Sequence, residues 1–109
     1  MKVTNMNSPR TGKPVANQYI ITTEGHGALG NFTKREVFQS YDSIIATRTI
    51  WRHEDVVGHG GKEIEVELDE KYWDYSRTTA KYRNIFLGES TADTKKNIAS
   101  GEYKFTDLN

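Results

Sequence analysis

Ile64, Val66 and Leu68 alternate with Glu63, Glu65, Glu67 and Asp69. Period-two alternation marks a strand with one buried and one wet face, and branched Ile64 and Val66 suit a pleated surface. The period changes after Asp69. Tyr75, Thr79, Tyr82 and Phe86 recur every three to four positions, with Ile85 beside them. Ser76 or Thr78 can cap the start of such a helix, and Gly88 suits a left-handed stop. Upstream, Val15 to Thr23, Glu36 to Tyr41 and Ser43 to Trp51 read as three further strands. In the second of these, Val37, Gln39 and Tyr41 share one face and Phe38 and Ser40 the other, and Tyr41-Asp42 reads as a tight turn or a bulge. The Gly-rich segments Gly25 to Asn31 and His53 to Lys62 read as connections.

Downstream of Gly88, Ser90-Thr91-Ala92-Asp93 fits a capping box, and a short helix runs through Ser100 with Gly101 as its stop. Its apolar stripe, Ile98 and Ala99, is thin, which predicts a surface position. Tyr103 to Thr106 reads as a last short strand. Residues 1–14 carry turn chemistry at Ser8 to Pro14 and read as a flexible N-terminal segment. The expectation is therefore an α+β fold: an antiparallel sheet of about four strands packed against one main helix, plus a short C-terminal helix, in one domain over residues 15–109.

Composition narrows the function classes. A chain of 109 residues suits one hydrophobic core. The absence of cysteine excludes a disulfide framework and a cysteine nucleophile. No apolar run approaches the roughly 18 residues of a membrane span, and a cytoplasmic location in a bacterial host cell is the expectation. Net charge is zero but unevenly spread: residues 1–52 hold seven Lys/Arg and three Asp/Glu, residues 53–109 eight and twelve.

Candidate chemistry is thin. Gly25-x-Gly27-x-x-Gly30 matches a dinucleotide fingerprint as a string, but the mechanism needs a helix directly after it, and a strand-like segment follows. His26, His53 and His59, with Glu54 and Asp55, match no zinc-ligand spacing. No G-x-S-x-G string occurs. The expectation is a non-enzymatic protein without catalytic, cofactor or metal site.

Two surfaces invite a binding reading. Trp51-Arg52 and the group Tyr72, Trp73, Tyr75, Arg77, Lys81, Tyr82 and Arg83 read either as a stacking platform for single-stranded nucleic acid or as core anchors rimmed by charge. The second is favoured because Asp69, Glu70 and Asp74 share the stretch. The acidic row Glu63, Glu65, Glu67 and Asp69, with Glu70 behind it, reads either as a solvated face or as a patch for Arg/Lys-lined surfaces. The expected partner contacts are Glu63, Glu65, Glu67, Asp69 and Glu70, with Trp51 and Trp73 as anchors.

The pattern Phe38-x-Ser40-Tyr41, then Tyr75-Ser76-x-Thr78-Thr79, then Phe86-Leu87 carries a resemblance. Over most of its length, with Gly25 to Arg35 as an apparent insertion, the chain resembles a family of small uncharacterised proteins of gut-bacterial phages and prophages. Proteins of this size and type include anti-CRISPR proteins. The resemblance implies a phage-encoded protein that binds and inhibits a host defence protein, Cas9 being the partner it points to. The alternative is a nucleic-acid-binding accessory or regulatory phage protein using Arg48, Arg52, Arg77, Lys81 and Arg83. A virion or lysis component is a third reading.

Overall fold

The computed structural model describes residues 1–25, 34–51 and 64–109. Along the chain run β1 (Lys2–Asn7), β2 (Pro14–Glu24), β3 (Lys34–Ser40), β4 (Ser43–Ile50), β5 (Ile64–Asp69), α1 (Arg77–Leu87), α2 (Thr91–Ala99) and β6 (Tyr103–Thr106). The strands form one six-stranded sheet in sequence order. Neighbours are antiparallel except β5 and β6, which are parallel. The β5–β6 connection is long because a parallel pair needs a crossover, and the two helices supply it.

The α+β class holds, with six strands among the described residues where about four were expected, and two helices of 11 and 9 residues. The segment expected to be loose, residues 1–14, contributes β1, which pairs with β2 from Lys2 opposite Thr22 to Asn7 opposite Pro14. β1 escapes sequence reading because only Met6 of its six residues is buried. An edge strand held by main-chain bonds needs no apolar alternation.

The register assigns side chains to two faces. Val3, Ile21, Val37, Thr47, Glu67 and Lys104 lie in one cross-strand row over all six strands. The opposite face carries Phe38, Ala46, Val66 and Leu68, which join Tyr82 and Phe86 in one buried cluster. Phe38 stacks on Phe86 at 5.8 Å between ring centroids. Val66 and Leu68 thus lie on the buried face of β5, as its alternation predicts, in one cluster with Tyr82 and Phe86 of the main helix. Ile64 and Ile85 are exposed instead, Ile64 lying at the first position of its strand.

α1 is specified locally. Ser76 takes an extended conformation and its Oγ accepts from the Thr79 N–H at 3.1 Å. Gly88 closes the helix at φ +70°, where a Cβ would be strained. Thr79, Tyr82, Arg83 and Phe86 form its buried stripe. α2 opens with the capping box of Ser90 and Asp93. Burial of Tyr82 and of Phe86 contributes roughly 1.5–3 kcal/mol each before chain entropy is subtracted.

One buried group is out of keeping with its surroundings. Gln18 is fully buried, and neither Nε2 nor Oε1 finds a partner among the described residues. Leaving a buried amide unpaired costs about 1–3 kcal/mol. Gln18→Met keeps the length and removes both polar atoms, so stability should rise by about 1 kcal/mol in urea denaturation. A loss of that size instead would show that the amide is satisfied.

Candidate functional site

The stretch between β5 and α1, residues 70–76, is fixed by buried ions at both ends. At its start stands Asp69, buried at the end of β5. Its Oδ2 accepts from the backbone N–H groups of Lys71 (3.0 Å) and Tyr72 (2.8 Å), and Oδ1 accepts from the Leu108 N–H at 2.8 Å. Burial alone would raise the Asp69 carboxyl, but the donors of Leu108, Tyr72, Asn109 and Lys71 together hold it below its ordinary value. At the far end lies Arg83, with no exposed surface. Its Nη1 donates to the Trp73 carbonyl (2.6 Å) and Asp74 Oδ1 (2.9 Å), and its Nη2 donates to Asn84 Oδ1 (3.1 Å) and Thr91 Oγ1 (3.0 Å). The guanidinium also lies over the Trp73 ring at 5.1 Å.

This anchoring presents Tyr72 and Tyr75, in edge-to-face contact at 5.6 Å, toward the β3–β4 turn. Between turn and stretch runs a groove of about 420 Å³ lined by Ser40, Tyr41, Asp42, Ser43, Ile45, Tyr72, Tyr75 and Thr79. Ser40 Oγ and Thr79 Oγ1 are hydrogen-bonded at 3.1 Å in the buried part, and Ser76 Oγ donates to the same Thr79 oxygen. Tyr41 and Tyr75 are 51% and 69% exposed.

The opposite wall is a two-residue turn, Tyr41-Asp42, followed by a bulge. Phe38 pairs with Ala46 but Gln39 pairs with Ile44, so Ile45 is the extra residue. Tyr41 sits at φ +55°, a region that bulky side chains avoid. Its N–H donates to the Asn17 carbonyl (2.7 Å), and its carbonyl accepts from Gln39 Nε2 (2.9 Å). Asn17 is itself at φ +66°, which asparagine tolerates better. The Asn109 side-chain amide meets the bulge backbone, donating to the Ile44 carbonyl and accepting from its N–H.

Those of the expected partner residues that are described do not all lie on one face. Glu65 and Glu67 are half-buried on the sheet face away from the helices, opposite Thr49 and Thr47, and Lys104 flanks Glu67 on β6. Asp69 is not outward-facing as expected: the chain leaves the strand there, and the carboxylate turns inward to cap the following turn. Glu70 is exposed in that turn. Trp73 is half-buried against Phe105, at 5.7 Å, and under Arg83, so it belongs to the frame. Trp51 is half-buried just beyond β4. Glu63 lies outside the described residues, as do Arg52, all three histidines, Glu54 and Asp55. Of the cations considered for nucleic acid, Arg83 is fully buried, and Arg48 is engaged by Glu36 at 3.0 Å and by the Phe86 carbonyl at 2.8 Å. Arg77 and Lys81 are exposed.

By contrast, the two segments that carry the family resemblance do meet. Ser40 and Tyr41 come from the first, Tyr75, Ser76 and Thr79 from the second, and all five sit in or beside the groove. What could have exposed this site in the sequence is Tyr41, a tyrosine where a two-residue turn favours glycine or asparagine.

Fold and groove together define a small α+β protein with an aromatic, hydroxyl-lined groove at one end of its sheet. The chain belongs to a family of unknown function, DUF8033, whose sequence model matches residues 1–103. No curated protein and no solved structure matches it. Among the described residues, no helix is long and apolar enough to cross a membrane.

Two outcomes follow from this geometry. Tyr41→Gly removes the strained Cβ, so it should leave stability unchanged or raise it by up to about 1 kcal/mol in urea denaturation, although the groove loses a wall. The second concerns acid. Because the Asp69 value is depressed on folding, its stabilisation is complete above the unfolded value of about 3.9 and is lost as pH falls through the folded value. The thermal midpoint of the wild-type protein should therefore fall from about pH 4 downward, and Asp69→Asn, weaker at neutral pH, should fall less over the same interval.

Proposed function

We propose that the chain is a non-enzymatic binding protein that docks a partner protein at the groove of Tyr41, Tyr72 and Tyr75. The partner we favour is the one implied by the phage-family resemblance, a host defence protein, with Cas9 first, whose activity the chain would inhibit. The observation that carries the binding reading is Tyr41. A bulky side chain is held at positive φ and half-exposed at the mouth of a groove, although glycine would fit the backbone without strain. Backbone strain of this kind collects at functional positions, and tyrosine is a favoured anchor of protein interfaces. Tyr75, more exposed still, faces the same space.

The test is a plasmid-cleavage assay with guide-loaded Cas9, run beside co-elution on a sizing column. Stoichiometric wild-type protein should protect the plasmid and co-elute. Tyr75→Ala, a change at an exposed position that should leave the fold intact, should weaken both. Cleavage at the uninhibited rate without co-elution removes Cas9 as the partner. Salt-sensitive retention of naked DNA or RNA in a mobility-shift assay, unaffected by Tyr75→Ala, would favour the nucleic-acid reading instead.

A further inference from the structure

The chemistry of the groove is selective in its charge. Its lining holds three tyrosine rings, three hydroxyl side chains, Ile45 and a single ionisable acid, Asp42, and no cation. The faces of aromatic rings are electronegative. Asp42 is exposed and has no ion-pair partner among the described residues. The ionisable and aromatic side chains of the lining therefore favour a positive guest, with Lys71 beside Tyr72 the one cation close to them among the described residues.

The neighbouring rings already receive cations from within the chain. Lys71 Nζ lies 5.2 Å from the Tyr72 centroid, and Arg83 covers Trp73. Both contacts fall in the usual range for cation–π attraction. Tyr41 and Tyr75, the more exposed groove rings, have no such cation among the described residues.

We infer that this groove takes the guanidinium of an arginine side chain from the partner protein, with Tyr41 and Tyr75 stacking on its plane and the Asp42 carboxylate accepting its N–H groups. The inference rests on the binding reading above and specifies its chemistry. Guanidinium fits better than ammonium because it is planar, weakly hydrated and able to stack while donating in its own plane. The Ser43 hydroxyl oxygen adds an acceptor, and a group that only donates can use it. A phosphate or a carboxylate would meet Asp42 without a compensating cation in the lining.

The experiment uses the whole chain and no partner protein. N-acetyl-arginine amide is titrated while the tyrosine ring resonances are followed by NMR. N-acetyl-citrulline amide, the neutral isostere, serves as the control. The arginine compound should shift the Tyr41, Tyr72 and Tyr75 signals in a saturable way, and the citrulline compound should not. Asp42→Asn should weaken the arginine response about tenfold, the scale of one lost charged hydrogen bond. Tyr75→Ala should weaken it independently, and both positions are exposed, so the fold is retained. Response to both compounds, response to neither, or an Asp42→Asn titration like that of wild type would overturn the assignment. Such a failure is separable from failure of the Cas9 experiment, since that experiment reads docking without regard to which side chain enters the groove.

Discussion

A fully buried guanidinium is the constraint on which the rest depends. Arg83 has lost all its water, so its charge has to be answered inside the protein. The Asp74 carboxylate answers it electrostatically, and three neutral oxygens from Trp73, Asn84 and Thr91 complete the two terminal nitrogens. These partners come from the aromatic stretch, α1 and the start of α2. One side chain therefore decides how three pieces of backbone sit relative to one another. Removing Asp74 would leave the buried charge without its counter-ion, which costs more than the pair itself contributes. Lysine could not substitute, since it lacks the planar fork and the flat face that lies on Trp73.

Asp69 performs the matching task at the other end of the same stretch. Its carboxylate binds the turn that follows β5 and, through Leu108, the segment after β6. The Glu70 N–H donates to the Thr106 carbonyl alongside. With both ends of the stretch held, the backbone that carries Tyr72 and Tyr75 is positioned before any partner arrives, which lowers the ordering cost of binding. The facing wall is fixed by different means. Tyr41 is pinned in its strained conformation by main-chain bonding to Asn17 and by the Gln39 side chain, and the bulge behind it is filled by the Asn109 amide. The surroundings thus over-determine the strain.

Those parts of the fold whose signals are local were legible in the sequence. The alternation of β5, the Ser76 cap and Gly88 stop of α1, and the Ser90–Asp93 box of α2 each lie within a dozen residues, and each is found in place. β1 was not legible, because a polar edge strand has no pattern of its own and exists through pairing with β2. The parallel pairing of β5 with β6 is likewise decided by where two helices return the chain. Asp69 was misread because strand parity was carried one residue too far: its position continues the acidic row while its side chain serves the turn. Arg83 was misread because a cation on a helix is usually solvated, and its buried role depends on Trp73, Asp74 and Thr91 all converging on it. The groove was invisible as a unit, since its walls, residues 40–45 and 72–79, are far apart in sequence. Only its parts, the FxSY and YSxTT strings, stood out.

The distribution of charge and aromatic surface then separates frame from surface. Arg83, Asp69 and Arg48 turn toward the protein and hold elements together. Glu65 and Glu67, the centre of the expected acidic face, sit half-buried beside threonines and Lys104, so the described residues form no dense single-sign field there. The tyrosines divide in the opposite way. Tyr82 is in the core, whereas Tyr41 and Tyr75 are held at the surface by a frame that would stand without their rings. A ring that is exposed, held in place and in one case strained contributes little to the folded state. Its chemistry becomes useful when a second molecule covers it, and that asymmetry is what supports proposing the groove ahead of the acidic strand as the docking surface.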